Sequence, residues 1–297
     1  MTATCVRDAK QISYELFGEK LRLIQQCFSE TQPGIEKHWF YSKRPSKVEL
    51  AMSLADYIDW SPNSILIPGK DFKAIRRSFE RCWDKYYKLQ VPANDFMQFS
   101  ERDPYKLVVV PGKGRGLIAS RDLKGGEKIL EESPMVTLPQ NYDIGLLFLL
   151  PQQALEAVFM LHNEIPDFCY NRWLDRSPYT RLSKYLRGII NSNICRVLDI
   201  NDSPRMVLPM TGSLFNHDNK PNTSRKWNKR GEKMLFKIIR DVKMGEELVI
   251  DYCPPSTVRC NIDRDVILRS RGLWSGTVTE GGLEWVRGTK RGYEEVN

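Results

Sequence analysis

The residue types able to do chemistry gather in one stretch, Gly212 to Tyr252, which reads GSLFNHDNKPNTSRKWNKRGEKMLFKIIRDVKMGEELVIDY. It holds an Asn-His pair (Asn216, His217), a Pro-Asn turn (Pro221, Asn222) and a Gly-Glu-Glu-Leu-x-x-Asp-Tyr ending from Gly245 to Tyr252. Amide and imidazole groups give directed hydrogen bonds, and the phenol adds one that both donates and accepts. The phenol is no strong base, since its ordinary pKa is about 10. Taken singly, each piece also has a plain reading: a structural hydrogen-bonding pair, a hairpin turn, a packed tyrosine with a satisfied hydroxyl. A second stretch lies upstream, Gly112 to Glu132, GKGRGLIASRDLKGGEKILEE. Gly114 and Gly116 carry no Cβ and would let backbone approach a bound ligand. A dinucleotide fingerprint needs a third glycine that opens a helix. Gly116 leads instead into the β-like LIAS, so that fold is rejected.

The elements that must position these residues are read from period and punctuation. MLFKII is an apolar run of strand length, KMGEE a turn, and LVIDY a second strand. Upstream, LVVV from Leu107 is stopped by Pro111-Gly112, Lys124-Gly125-Gly126 turns between two strands, and Val136 to Leu138 makes another. Then the period changes. Pro151 stands ahead of QQALEAVFMLHN, and Pro178 behind a Ser177 cap opens YTRLSKYLRGIINSNICRVL, so a helical insert is expected over about 143–198. His162 is given no role.

Residues 1 to about 92 read as helical. Ala9 to Phe28 is apolar at helical spacing, and Ser46 to Trp60 opens with a capping box formed by Ser46 and Glu49. Its core face would be Leu50, Leu54, Tyr57 and Ile58. Lys70 to Leu89 carries a stripe of Phe72, Ile75, Phe79, Cys82, Trp83 and Tyr86, taken as core.

At 297 residues, with 41% hydrophobic and 28% charged residues, the chain has the composition of an ordinary globular protein with ample core. The net charge of +8 permits an acidic partner without making nucleic acid the expected primary ligand. The seven cysteines are scattered with no Cys-x-x-Cys, so reduced thiols in nucleus or cytoplasm are expected. No secretory signal is read at the N-terminus, and no apolar run is long enough to span a bilayer.

The motifs, four of them in order, resemble the SET-domain methyltransferases, in particular the split-SET type, over roughly residues 105 to 275. That family pairs a G-x-G strand and R-D-x-x-x-G-E turn with N-H-x-x-x-P-N and G-E-E-L-x-x-D-Y. The resemblance implies an α+β chain: a β-rich SET fold of short sheets with a threaded C-terminal crossing and a helical insert, preceded by a helical N-terminal region (1–94) and followed by a tail (276–297). It implies methyl transfer from S-adenosylmethionine, usually to a lysine side chain of a protein, with a histone or other nuclear protein as candidate substrate and no membrane involvement. Tyr252 then takes the catalytic position, holding the methyl group with backbone carbonyls through weak C–H···O contacts. Asn216 and His217 bind the cofactor, backbone at Lys113, Gly114 and Arg115 lines its other side with Arg115 near its carboxylate, and Asn193 sits nearby. Phe215 packs at the strand crossing.

No MYND finger precedes the domain. Three features depart from the family. Asp218 and Asn219 stand where Ser and Cys are usual. Beyond Cys253 and Cys260 no cysteine follows Tyr252, so no structural zinc is expected, four ligands being the norm. The tail holds Trp274, Trp285 and Tyr293, and is expected to replace the zinc module and close the acceptor pocket. Two other functions stay open: a SET-fold enzyme acting on a small molecule, and a silent module that binds a partner. The nine basic residues from Lys220 to Lys243 read as a solvated hairpin face, or as a docking or nuclear-import patch around Arg225 to Arg230.

Overall fold

The computed structural model describes residues 44–60, 69–88, 99–111, 113–140, 142, 144–163, 178–253 and 268, and two short strands at 278–279 and 282–283. The helix expected over Ala9 to Phe28, Ser177, Cys260 and the aromatic tail residues lie outside them.

Two helices lead in. α1, Lys47–Trp60, starts where Ser46 and Glu49 cap each other reciprocally: Glu49 N–H donates to Ser46 Oγ (3.1 Å) and Ser46 N–H to the Glu49 carboxylate (2.7 Å). Leu50 and Leu54 are buried as expected; the side chains of Tyr57 and Ile58 lie outside the described residues. α2, Gly69–Tyr86, turns its Ile75–Phe79–Cys82–Trp83–Tyr86 stripe into the core. It is fastened by polar bonds as well. Ser78 Oγ donates to Ile75 O and accepts Thr137 N–H (3.0 Å), and Trp83 Nε1–H donates to Leu149 O (2.9 Å). The helical region therefore belongs to the same hydrophobic core as the sheets.

Those sheets are short. β1 (Tyr105–Val110), β2 (Gly114–Ala119), β10 (Glu247–Ile250) and β7 (Asn216–His217) lie side by side in the order β1-β2-β10-β7. β3 (Lys128–Glu132), β9 (Lys233–Ile238) and β8 (Thr223–Asn228) make a second sheet in the order β3-β9-β8. β4 (Val136–Pro139), β6 (Pro204–Leu208) and β5 (Cys195–Leu198) make a third, in the order β4-β6-β5. β11 (Val278–Thr279) and β12 (Gly282–Leu283) form a separate two-stranded pair. Between β4 and β5 run a buried 3₁₀ turn (Ile144–Leu149), α3 (Gln152–Phe159) and α4 (Pro178–Asn193).

The helical pattern expected through Leu198 is corrected by the structure. The helix stops at Asn193, and Cys195–Leu198 is strand β5, antiparallel to β6. The residues alternate, with Cys195 and Val197 buried and Arg196 and Leu198 exposed. That is the period of 2 of a half-buried strand, and pairing with β6 decides it.

Two turns with the same sequence pattern face each other: Arg121-Asp122-Leu123-Lys124-Gly125-Gly126-Glu127 and Arg240-Asp241-Val242-Lys243-Met244-Gly245-Glu246. Leu123 and Val242 exchange both backbone bonds (2.9 and 3.0 Å). Asp122 accepts from Lys243 Nζ and Met244 N–H, while Asp241 accepts from Lys124 Nζ and Gly125 N–H. Gly126 and Gly245 adopt φ of 88° and 83°, the left-handed region that glycine reaches at little cost.

Candidate active site

The parallel pairing of β7 with β10 brings the two ends of the chemical stretch together: Asn216 lies opposite Val249 and His217 opposite Ile250. Asn222, of the Pro-Asn pair, is what splices the intervening loop to β10. Its buried side chain donates to Glu247 O (2.7 Å) and accepts Val249 N–H (3.0 Å). Its work is structural.

The side chains around Asn216 form a connected chain of bonds. Asn216 Nδ2–H donates to Arg115 O (3.1 Å) and to Glu247 Oε1 (2.8 Å), and Lys113 Nζ donates to Glu247 Oε2 (2.8 Å). Glu247 thus ties the glycine-rich stretch to the Asn-His pair, a role that its place in a GEEL turn did not disclose. The room left by Gly116 is used by the protein itself: a Cβ there would lie 2.5 Å from Asn216 Nδ2 and 2.8 Å from Val110 Cγ2. Gly114 differs, with φ of 75° and nothing within 4 Å of where a Cβ would stand, so open space adjoins its backbone.

Arg115 donates through its guanidinium to Met160 O, next to α3, and burial pulls its pKa down to about 10, which leaves it charged at neutral pH. Asn193, at the end of α4, is buried and donates to Ile189 O (2.6 Å) and His162 O (2.7 Å), so His162 contributes backbone here.

His217 and Tyr252 are in contact, ring centroids 5.2 Å apart. Two backbone groups compete for His217 Nδ1: Tyr252 N–H at 3.2 Å and Ile250 O at 3.3 Å. With Nδ1 bare the ring accepts from the Tyr252 amide; with Nδ1 protonated it donates to Ile250 O and faces the Asp251 carboxylate at 3.8 Å. The Tyr252 hydroxyl donates to Phe215 O (2.7 Å), and Phe215 is fully buried and stacked on Phe236 at 4.8 Å. With its proton engaged, the phenol oxygen keeps lone pairs for another contact.

Beneath the segment carrying Phe215 is the 3₁₀ turn Thr211–Leu214, whose first N–H groups point at Glu132. That carboxylate accepts Met210 N–H (2.7 Å), Thr211 N–H (2.8 Å) and Gly212 N–H (2.8 Å); burial raises its pKa while the three donors oppose the rise.

Tyr252 and Phe215 border a small, partly open pocket of about 10 Å³, also lined by Ile250, Ser213, Cys195 and Arg225. The last three were not among the expected residues. By sequence Arg225 belongs with the basic surface, yet it shares strand parity with buried Thr223, and that alternation is the signal that could have found it. Four other residues of the basic stretch hold carboxylates: Lys229 with Asp202, Lys233 with Glu131, Arg240 with Glu246 and Lys243 with Asp122.

The comparisons with known proteins agree with this architecture. Residues 114–253 match the SET domain family. A curated relative, the histone-lysine N-methyltransferase set5 of Schizosaccharomyces pombe, is 26% identical over 152 residues, which are 51% of this chain and 43% of the relative. The chain thus matches less than half the length of that relative. A solved structure from Plasmodium falciparum, described provisionally as a histone methyltransferase, aligns with 51% of this chain and 94% of its own at 15% identity and a TM-score of 0.31, too loose a likeness to bear on function.

Among the described residues no group of three or more His, Cys, Asp or Glu could hold a metal ion; Cys253 is buried. No helix among them is long and apolar enough to cross a membrane.

Proposed function

We propose that this chain transfers a methyl group from S-adenosylmethionine to lysine side chains of a protein substrate. The observation that carries the reading is the Tyr252 hydroxyl, 2.7 Å from Phe215 O at the border of the pocket, with the Asn-His strand starting directly after Phe215. The SET domain and a relative named for histone-lysine methylation support it. A histone or another nuclear protein is the first substrate class to try, with nucleus or cytoplasm as the place of action.

The residues present suit the cofactor. β7 is the edge strand of its sheet, so one side of the Asn216–His217 backbone is not consumed by strand pairing. Open space adjoins the Gly114 backbone between Lys113 and Arg115, and Asn193 lines the pocket from α4. When bound, the cofactor supplies the methyl group on a positively charged sulfur. The chain's own work is positioning. Glu247 and Asn216 fix β2 against β7, His217 packs on the Tyr252 ring, and the Tyr252 oxygen and Phe215 O at the pocket's border are the groups that would hold the methyl by C–H···O contacts.

Calorimetric titration of S-adenosylmethionine into the protein, beside His217→Ala, is the test. Binding weakened about tenfold by the substitution, 1.4 kcal/mol, followed by labelled methyl transfer to core histones that Tyr252→Phe abolishes, is the expected result. No binding heat for the wild type would overturn the proposal.

A further inference from the structure

The pairing of β3, β9 and β8 sorts their side chains onto two faces. Met234, Phe236 and Ile238 of β9 are buried, with Arg225 and Trp227 of β8 on the same side. The alternate residues make the outer face, and lysine dominates it: Lys128 on β3, Lys233 and Lys237 on β9, and Lys226 on β8. Lys128, Lys226 and Lys237 are exposed. The register puts one carboxylate among them, Glu131, which Lys128 (2.7 Å) and Lys233 (2.8 Å) share. Among the described residues no carboxylate lies within ion-pair distance of Lys226 or Lys237. The acidic groups near the hairpin tip are taken: Asp202 by Lys229, and Glu232 by Arg77 and Arg81 of α2. Lys128 and Lys237 also stand directly opposite each other, a placement of like charges that costs stability.

Lys226 lies opposite Leu235, so Lys233 and Lys237 are its diagonal neighbours, about 7–8 Å away on each side. Side chains that close and that long can gather on one anionic backbone. An acidic protein would want an apolar centre with charge at the rim. This face has the reverse, a single half-buried Leu235 among cations. Single-stranded nucleic acid is held by stacking on aromatic rings, and Ser224 and Asn228, the other β8 residues here, offer none. Lysine ammonium groups pair with phosphates and do not read the 2′-hydroxyl that marks RNA. We propose that the outer face of the β3-β9-β8 sheet is a docking surface for double-stranded DNA, held through its phosphates without regard to sequence. Arg225 of the pocket belongs to the other face of β8, so DNA docked here leaves the pocket free.

The test titrates the full chain into a fluorescein-labelled DNA duplex of about 20 base pairs, read by anisotropy between about 50 and 200 mM NaCl. Four lysines against Glu131 leave about three charges for phosphates, so affinity should fall about 40-fold across that range. Lys226→Gln/Lys237→Gln should weaken binding at least about tenfold at the lowest salt and reduce the fall to about fourfold. A matched pair, Lys73→Gln/Lys106→Gln, removes the same charge from α2 and β1 and should change affinity by less than about twofold. A duplex of unrelated sequence should bind within about twofold of the first. Absence of binding at the lowest salt, or poly-L-glutamate bound as tightly as the duplex, would overturn the proposal. So would a salt response that Lys226→Gln/Lys237→Gln leaves unchanged, or an equal loss in the matched pair. None of these measurements requires the methyl donor. Failure to bind S-adenosylmethionine would sink the proposed function while leaving the DNA result standing.

Discussion

Replacing Gly116 by alanine tests the packing of the site with one methyl group. A glycine-to-alanine change in a strand ordinarily stabilises by about 0.4–1 kcal/mol, because the unfolded chain loses freedom. Here the new Cβ would sit 2.5 Å from Asn216 Nδ2, 2.8 Å from Val110 Cγ2 and 3.1 Å from Glu247 Oε1. Asn216 is 3% exposed and has no solvent to retreat into. Overpacking of this kind costs about 1–3 kcal/mol. Pushing Nδ2 off Arg115 O and Glu247 Oε1 leaves buried polar groups unpaired, at about 1–3 kcal/mol more. The net expectation is a loss of about 3 kcal/mol. Urea denaturation read by linear extrapolation measures it, with Gly125→Ala as control. A Cβ at Gly125 meets nothing closer than 3.6 Å, so that variant should stay within about 0.5 kcal/mol of wild type. In an Asn216→Ala background the cost of Gly116→Ala should fall by at least about 1 kcal/mol, because the nearest clashing group is gone. Equal stability of Gly116→Ala and Gly125→Ala, or no coupling to Asn216, would refute the reasoning.

Other outcomes rest on the same contacts. Tyr252→Phe removes the hydrogen bond to Phe215 O, so it should cost about 1 kcal/mol in denaturation while methyl transfer collapses. Glu132→Gln keeps the shape but accepts fewer of the three N–H groups at Met210, Thr211 and Gly212. It should destabilise by about 2 kcal/mol in the same assay. Asp122, Glu127, Glu131, Asp241 and Glu246 all have lowered pKa values, each helped by a hydrogen-bonded Lys or Arg, with Glu131 at about 2. A depressed carboxylate stabilises above its unfolded pKa and ceases to as pH falls through its folded value. The melting temperature should therefore hold from neutral to about pH 5 and fall toward pH 2. The fall should be shallower in high salt, because these pairs are exposed.

The strands and turns around the site were legible because each is announced locally. Glycines mark both turns, apolar runs of four to six residues mark β1, β9 and β10, and Ser46 with Glu49 marks the start of α1. The parts that escaped were decided by partners distant in sequence. Cys195 to Leu198 comes after a helical run without a break, and only β6 makes it a strand. Arg225 lies among surface lysines, and only the burial of its strand face turns it inward. Glu247 sat in plain view in a turn motif, but its link between Lys113 and Asn216 spans residues far apart in the chain. The repetition of R-D-x-K-x-G-E at Arg121 and Arg240 was present in the sequence as an internal echo. Its meaning required seeing that the two copies touch.

That mutual clasp has a topological consequence. It joins the chain to itself at Leu123 and Val242, so the insert and two of the sheets hang from a loop whose neck is already closed. Closure entropy grows only as the logarithm of loop length, and roughly twenty residues added to about 120 would cost about 0.1 kcal/mol. The length of the hanging segment is thus nearly free to change without loosening the neck. A wall of the pocket could be enlarged, shortened or exchanged there while β2, β7 and β10 kept their register.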